Sequence, residues 1–230
     1  MKLGLPSRRI RKGCYGGGRR PVYLWHPMGM RQEHPDTRQH ILNTGEAIIS
    51  GKGFSAVGLS EILAKAEVPK GSFYYYFESK EQFGEALLDA YFLDYLCRLE
   101  ALLKADGSSA RERLMRYWLR WIEVQGQESP TQQCLVVKLS AEVSDLSEPM
   151  RQALRRGTDA ILARLSACMA EGIADGSLPA QLDPESTSQA LYQYWLGASL
   201  LAKVRRDLTA FALAIKTTQA WLGSDSVNPS

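Results

Sequence analysis

From Asp36 onward, apolar residues recur at helical spacing almost without interruption, and no stretch makes a convincing strand. Ile41, Leu42, Ala47, Ile48 and Ile49, with Gly45 among them, form a first apolar face. Asp36 and Thr37 offer N-cap oxygens ahead of it, and Gly51–Gly53 stop the helix. A short helix over Leu59–Ala66 follows, with Ile62 and Leu63 inward, and a second is expected from about Gly71 to Phe77. Between them Glu67, Val68 and Pro69 form a tight connection, because proline bars the first helix from continuing. Two short helices, a turn of about three residues and an inward valine predict a helix-turn-helix.

The rest of the chain reads as longer helices. Ser79 caps one that runs to Lys104 through Phe83, Leu87, Leu88, Tyr91, Phe92 and Leu99, and Asp106–Ser109 breaks it. Further helices are expected over Arg111–Glu128, Cys134–Leu146, Glu148–Gly176, 184–206 (Asp183 capping, Pro184 first) and Leu208–Leu222. Helix 184–206 carries two apolar stripes, one of Leu191, Tyr194, Trp195, Ala198 and Leu201, the other of Leu196, Leu200 and Val204. A helix apolar on most sides is buried on most sides, which predicts a homodimer interface completed by Phe211, Ile215 and Trp221 of the last helix. The alternative is a central helix of a monomeric bundle. The expected fold class is all-α: an N-terminal three-helix helix-turn-helix domain over 33–82 and a C-terminal helical regulatory and dimerisation domain over 83–224.

Charge adds a segment the pattern does not explain. Residues 1–32 hold Lys2, Arg8, Arg9, Arg11, Lys12, Arg19, Arg20 and Arg31 and no acid, +8 of a whole-chain charge of +3, which leaves −5 for the remainder. A nucleic-acid-binding arm has this asymmetry. The segment is also rich in Gly and Pro, and is expected to be disordered or a start-site artefact, with Met28 and Met30 as alternative starts. No run of about 18 apolar residues is present, so no membrane span is expected. The four cysteines are scattered without a C-x-x-C pair, which predicts no metal, no cofactor and a reduced, cytoplasmic setting. His26, His34 and His40 are the only histidines, so the C-terminal domain lacks an imidazole base, and no phosphate-binding glycine pattern occurs. An enzyme is not expected.

Two groups of residues carry candidate chemistry. Tyr74, Tyr75 and Tyr76 stand side by side between Lys70 and Lys80. Side chains on a helix spread by about 100° per residue, so at least one of three phenols faces outward, and beside two lysines it suits a phosphate backbone. Cys134 lies in the first turn of a helix with Lys138 four residues on. Both the helix end and the ammonium favour thiolate, although a free cysteine also serves as a small buried hydrophobe. Trp118, Trp121, Tyr192 and Trp195 are candidates to line a ligand pocket or to fill a core.

The stretch "GLSEILAKAEVPKGSFYYYFESKEQF", following a first helix, resembles the TetR family of transcriptional repressors. That resemblance implies a homodimer binding double-stranded DNA at a near-palindromic operator, released by an inducer. It puts Lys70, Gly71, Ser72 and Tyr75 at base edges and Tyr74, Tyr76 and Lys80 at phosphates, with Thr37 and Ser60 as weaker candidates and Phe73 and Phe77 in the core. "CLVVKLSAEVSDLSEPMR" and "YWLGASLLAK" are similar to members of the family that answer electrophiles and oxidants through a cysteine at the position of Cys134. Ser144 stands where such a relative carries another cysteine, and Lys203 is a second candidate positive neighbour of Cys134 if its helix packs there. The alternative inducer is a hydrophobic small molecule bound reversibly among the aromatics.

Overall fold

The computed structural model describes residues 35–125 and 135–223, and its helices explain most of the apolar pattern. Among the described residues nine helices and no strand occur: α1 (Pro35–Lys52), α2 (Leu59–Ala66), α3 (Lys70–Tyr76), α4 (Lys80–Leu103), α5 (Ala110–Gln125), α6 (Leu135–Val143), α7 (Glu148–Ala174), α8 (Pro184–Arg205) and α9 (Thr209–Trp221). None is long and apolar enough to cross a membrane. The basic segment 1–32 lies outside the described residues.

Local chemistry sets the boundaries. α1 begins at Pro35, so Asp36 and Thr37 fall inside its first turn; proline suits that turn because its missing N–H has no helical partner to lose. Gly53, at φ 92°, ends α1 in the left-handed region. α2 closes on Glu67 at φ 55°, whose N–H returns to Ala64 and Leu63 carbonyls, and Nε2 of His40 donates to the Ala66 carbonyl at 2.9 Å. α3 starts and ends one residue before its expected span: Phe77 is extended, with its N–H on the Phe73 carbonyl. Ser79 Oγ accepts from the Gln82 N–H at 3.1 Å, and Asp183 accepts from the N–H groups of Glu185 and Ser186, so both expected caps are present.

α4 is the spine that joins the helix-turn-helix to the other helices, and three glycines let rings or sulfur seat directly on helix backbone. A Cβ on Gly45 of α1 would lie 2.3 Å from the Phe83 ring. One on Gly84 of α4 would lie 2.6 Å from Met150 Sδ and 2.7 Å from the Phe54 ring. One on Gly157 of α7 would lie 2.2 Å from the Phe92 ring. Arg156 reaches Glu85 at 3.2 Å and Asp89 at 3.0 Å, and Arg164 reaches Glu100 at 2.9 Å, across the same α4–α7 seam. These exposed pairs add little energy but favour one register. At the far end of α4 the buried Arg113 guanidinium donates to the Leu103 carbonyl and to Glu171, satisfying a helix-terminal acceptor.

One part of the core lies between α5, α8 and α9. Trp118 and Trp195 stack at 5.0 Å, Trp195 Nε1 donates to Thr218 Oγ1 at 2.9 Å, and Trp121 Nε1 donates to Ser199 Oγ at 2.9 Å. Leu191, Trp195 and Ala198 of α8 are thus consumed inside the subunit. Two sequence expectations change here. Leu201 leaves that stripe and is exposed, and Phe211 is buried against Trp195 and cannot serve an interface. The outward edge of α8 is instead Gly197, Leu200, Leu201 and Val204, with Val204 72% exposed; spacings of three and four residues put these on one face. Leu208, Leu213 and Trp221 are exposed as well.

The seating of Phe92 predicts a test of the spine. Gly157→Ala should lower stability by about 1–3 kcal/mol despite alanine's better helix propensity, because an aromatic ring cannot yield locally. Phe92→Leu in the same chain should recover part of the loss, as read by a thermal-denaturation double-mutant cycle.

Candidate nucleic-acid interface and thiol region

α3 is short and two-faced. Phe73 points into a cluster of rings with Phe77 and Phe83, at 5.1 and 5.5 Å, and both Phe73 and Phe77 are buried. With Phe73 fixed inward, helical geometry turns Tyr74 and Tyr75 outward, each 49% exposed, while Tyr76 is half-buried against the core. Lys70 Nζ lies 5.6 Å from the centre of the Tyr74 ring, a cation–π contact, and Tyr75 meets Tyr76 edge-on at 4.9 Å. Lys70 and Gly71 are exposed and Ser72 half-buried. A Cβ on Gly71 would meet nothing within 4 Å, so nothing in the subunit's packing demands glycine there. Glycine inside a helix costs roughly 1 kcal/mol relative to alanine, so its position on an outward face suits close approach of a partner to the backbone. Thr37 is half-buried in the first turn of α1 and Ser60 is exposed at the start of α2.

Lys80 is more constrained than the sequence suggested. It is the first residue of α4, half-buried, and its Nζ donates to the Phe54 carbonyl at 2.8 Å while lying 4.4 Å from the centre of the Phe54 ring. A helix N-terminus repels a cation, and this carbonyl and ring face hold the ammonium there. Glu81 beside it keeps its carboxyl below the usual range, chiefly through its own backbone N–H and then Ser79.

Cys134 lies outside the described residues; the next residue, Leu135, opens α6. Lys138 Nζ donates to the Gly51 carbonyl at the end of α1, at 3.1 Å. α6 packs on α8, and the Lys203 ammonium is pushed below the ordinary lysine value, first by burial and then by the Lys138 charge. The two expected positive neighbours of Cys134 are therefore close enough to repel one another. Cys97 is half-buried and Cys168 buried, and burial pushes the Cys168 thiol up to about 11 despite the nearby Arg113, which keeps it protonated at neutral pH.

Trp118, Trp121, Tyr192 and Trp195 are all buried and touch one another: Trp121 meets Tyr192 edge-on at 5.7 Å and Trp195 at 6.0 Å. Among the described residues the buried Nε1 of Trp118 has no acceptor. No group of His, Cys, Asp or Glu suited to a metal ion occurs among the described residues.

One long-range contact has no sequence signal. Glu142 of α6 accepts from the N–H groups of Phe54 at 3.1 Å and Ser55 at 2.5 Å, in the turn between α1 and α2. Its partners lie almost ninety positions upstream in the chain, so no spacing rule reaches them.

Known proteins resemble this chain in sequence and fold. Residues 41–87 match the family described as bacterial regulatory proteins, tetR family, and residues 110–218 match the tetracyclin repressor-like C-terminal domain. The chain is 44% identical over 180 residues to the HTH-type transcriptional repressor NemR of Escherichia coli strain K12, covering 78% of this chain and 90% of NemR. It is 34% identical over 170 residues to the HTH-type transcriptional repressor DhaR of Mycobacterium sp. strain GP1, covering 74% of this chain and 84% of DhaR. The crystal structure of reduced E. coli NemR superposes with a TM-score of 0.79 at 42% identity, over 84% of this chain and all of that one. The helix-turn-helix, the all-helical regulatory part and these similarities together make the chain a member of the tetR family of bacterial regulatory proteins.

Proposed function

We propose that this chain is a cytoplasmic, homodimeric transcriptional repressor that reads a near-palindromic operator with α3 and lets go when an electrophile or oxidant modifies Cys134. The DNA-reading half rests on one observation, the outward face of α3: exposed Tyr74 and Tyr75, Lys70 and an unobstructed Gly71 on a helix locked from behind by Phe73. Lys70, Gly71, Ser72 and Tyr75 meet base edges, and Tyr74, Tyr76 and Lys80 hold phosphates, with Thr37 and Ser60 flanking. Two-fold protein symmetry asks for two-fold DNA. The apolar edge of α8 with the exposed residues of α9 supplies the contact between subunits.

The sensing half is supported by the paired charges of Lys138 and Lys203 on α6 and α8, at the helix that Cys134 leads into, and by the resemblance to NemR. Positive potential stabilises thiolate, the nucleophilic form. Toward N-ethylmaleimide the sulfur adds across the ring double bond, and solvent protonates the adjacent carbon. A 100-fold loss of operator affinity requires only about 2.7 kcal/mol of coupling between this site and the heads. A second reading, reversible binding of a hydrophobic inducer among Trp118, Trp121, Tyr192 and Trp195, is favoured by the buried Trp118 Nε1 donor.

Three outcomes are expected. In an electrophoretic shift on DNA upstream of the protein's own gene, N-ethylmaleimide should release wild type but not Cys134→Ser; release of both would refute the thiol mechanism, and mass spectrometry would find an adduct only under the first reading. Lys70→Ala should cost about 1–3 kcal/mol of operator affinity and relax discrimination at one base position, as measured by titrating single-base operator variants. Leu200→Asp with Val204→Asp should sediment as a single subunit in analytical ultracentrifugation and lose operator binding at concentrations that saturate wild type.

A further inference from the structure

We propose that Glu142, on α6, is a positioning residue for DNA binding: through the Phe54–Ser55 peptide it holds Lys80 at the start of α4. The proposal rests on the reading of Lys80 as a phosphate contact. The N–H of Ser55 and the carbonyl of Phe54 belong to one peptide unit. Glu142 takes that N–H at 2.5 Å on one side, and Lys80 donates to that carbonyl at 2.8 Å on the other. A carboxylate, a peptide dipole and an ammonium thus lie in series, an order in which each hydrogen bond polarises the next. Glu142 also takes the Phe54 N–H, so the turn carries two charge-assisted bonds from a single side chain.

The surroundings fit this arrangement. Gly53 is at φ 92°, a conformation that favours glycine, and a Cβ there would lie 2.9 Å from Glu142 Oε2 and push the carboxylate from its place. Burial opposes the charge on Glu142, but the N–H and hydroxyl of Ser55 and the N–H of Phe54 outweigh it and keep its carboxyl below the usual range. Lys138, one turn earlier on α6, takes the Gly51 carbonyl. Lys80 has three N–H donors and the Phe54 carbonyl occupies one, which leaves donors for a phosphate. Without this acceptor the positive end of α4 would turn the ammonium away from the place where it is needed.

The test uses the full chain and an operator fragment selected from random DNA by wild type. Affinity is measured across a salt series for wild type, Glu142→Gln, Lys80→Gln and the double variant, with thermal denaturation of each. Glu142→Gln keeps the shape but loses the charge and one acceptor. It should weaken operator binding by about tenfold, and the slope of log affinity against log salt should fall toward that of Lys80→Gln, which loses about 1.8 units for two phosphate contacts, one from each subunit of the dimer. In the Lys80→Gln background the Glu142 change should have little further effect. The proposal is overturned if the two losses multiply in the double variant, or if Glu142→Gln lowers thermal stability while affinity per folded dimer and salt slope stay at wild-type values. A Lys80→Gln slope equal to wild type would instead refute Lys80 as a phosphate contact, separating that failure from a failure of the Glu142 link.

Discussion

The seating of α4 against glycine backbones governs much of this fold. Phe83 lies on Gly45, Phe54 and Met150 on Gly84, and Phe92 on Gly157, so the helix that begins beside the helix-turn-helix is pressed into α1 at one end and α7 further along. Close-packed interiors transmit displacement because there is no free volume to absorb it. A helix held this way shifts as a body or not at all. The same helix begins at Lys80, capped by Ser79, where α3 has just ended, so its packing also fixes that junction.

Polar links run alongside that packing. Lys138 and Glu142, one turn apart on α6, take a carbonyl and two N–H groups from residues 51–55. The turn between α1 and α2 is thus fixed by side chains from the regulatory part as much as by its own backbone, which has a single left-handed glycine, Gly53. Burial and charge also compete at single groups. Cys168, enclosed beside Arg113, is held as a thiol because desolvation outweighs one neighbouring charge. At the α6–α8 contact, burial and then the charge of Lys138 lower the Lys203 ammonium.

Much of the fold was legible in the residues. Ile41, Leu42 and Ile49 mark the inner face of α1, Pro69 separates α2 from α3, and Ser79 and Asp183 name the starts of α4 and α8, because periodicity, proline and capping act within one or two turns. The inward Phe73 and Phe77 were readable too, and with Phe73 inward the outward turn of Tyr74 and Tyr75 follows. The start of α1 and the ends of α3 were off by a residue: α1 already begins at Pro35, and α3 runs from Lys70 to Tyr76 with Phe77 extended.

The two stripes of α8 mark the limit. Both are apolar, and nothing in their spacing says that Leu191, Trp195 and Ala198 are buried inside the subunit while Leu200 and Val204 stay open. Nor does any local rule link Glu142 to Ser55 or Lys80 to Phe54. The sequence by itself determined the helices, the capped starts of α4 and α8, the inward rings and the family, because those depend on neighbours within a turn or on a continuous motif. Only the tertiary structure decided which apolar faces remained free and which charges met, because those outcomes depend on residues that folding brings together from distant parts of the chain.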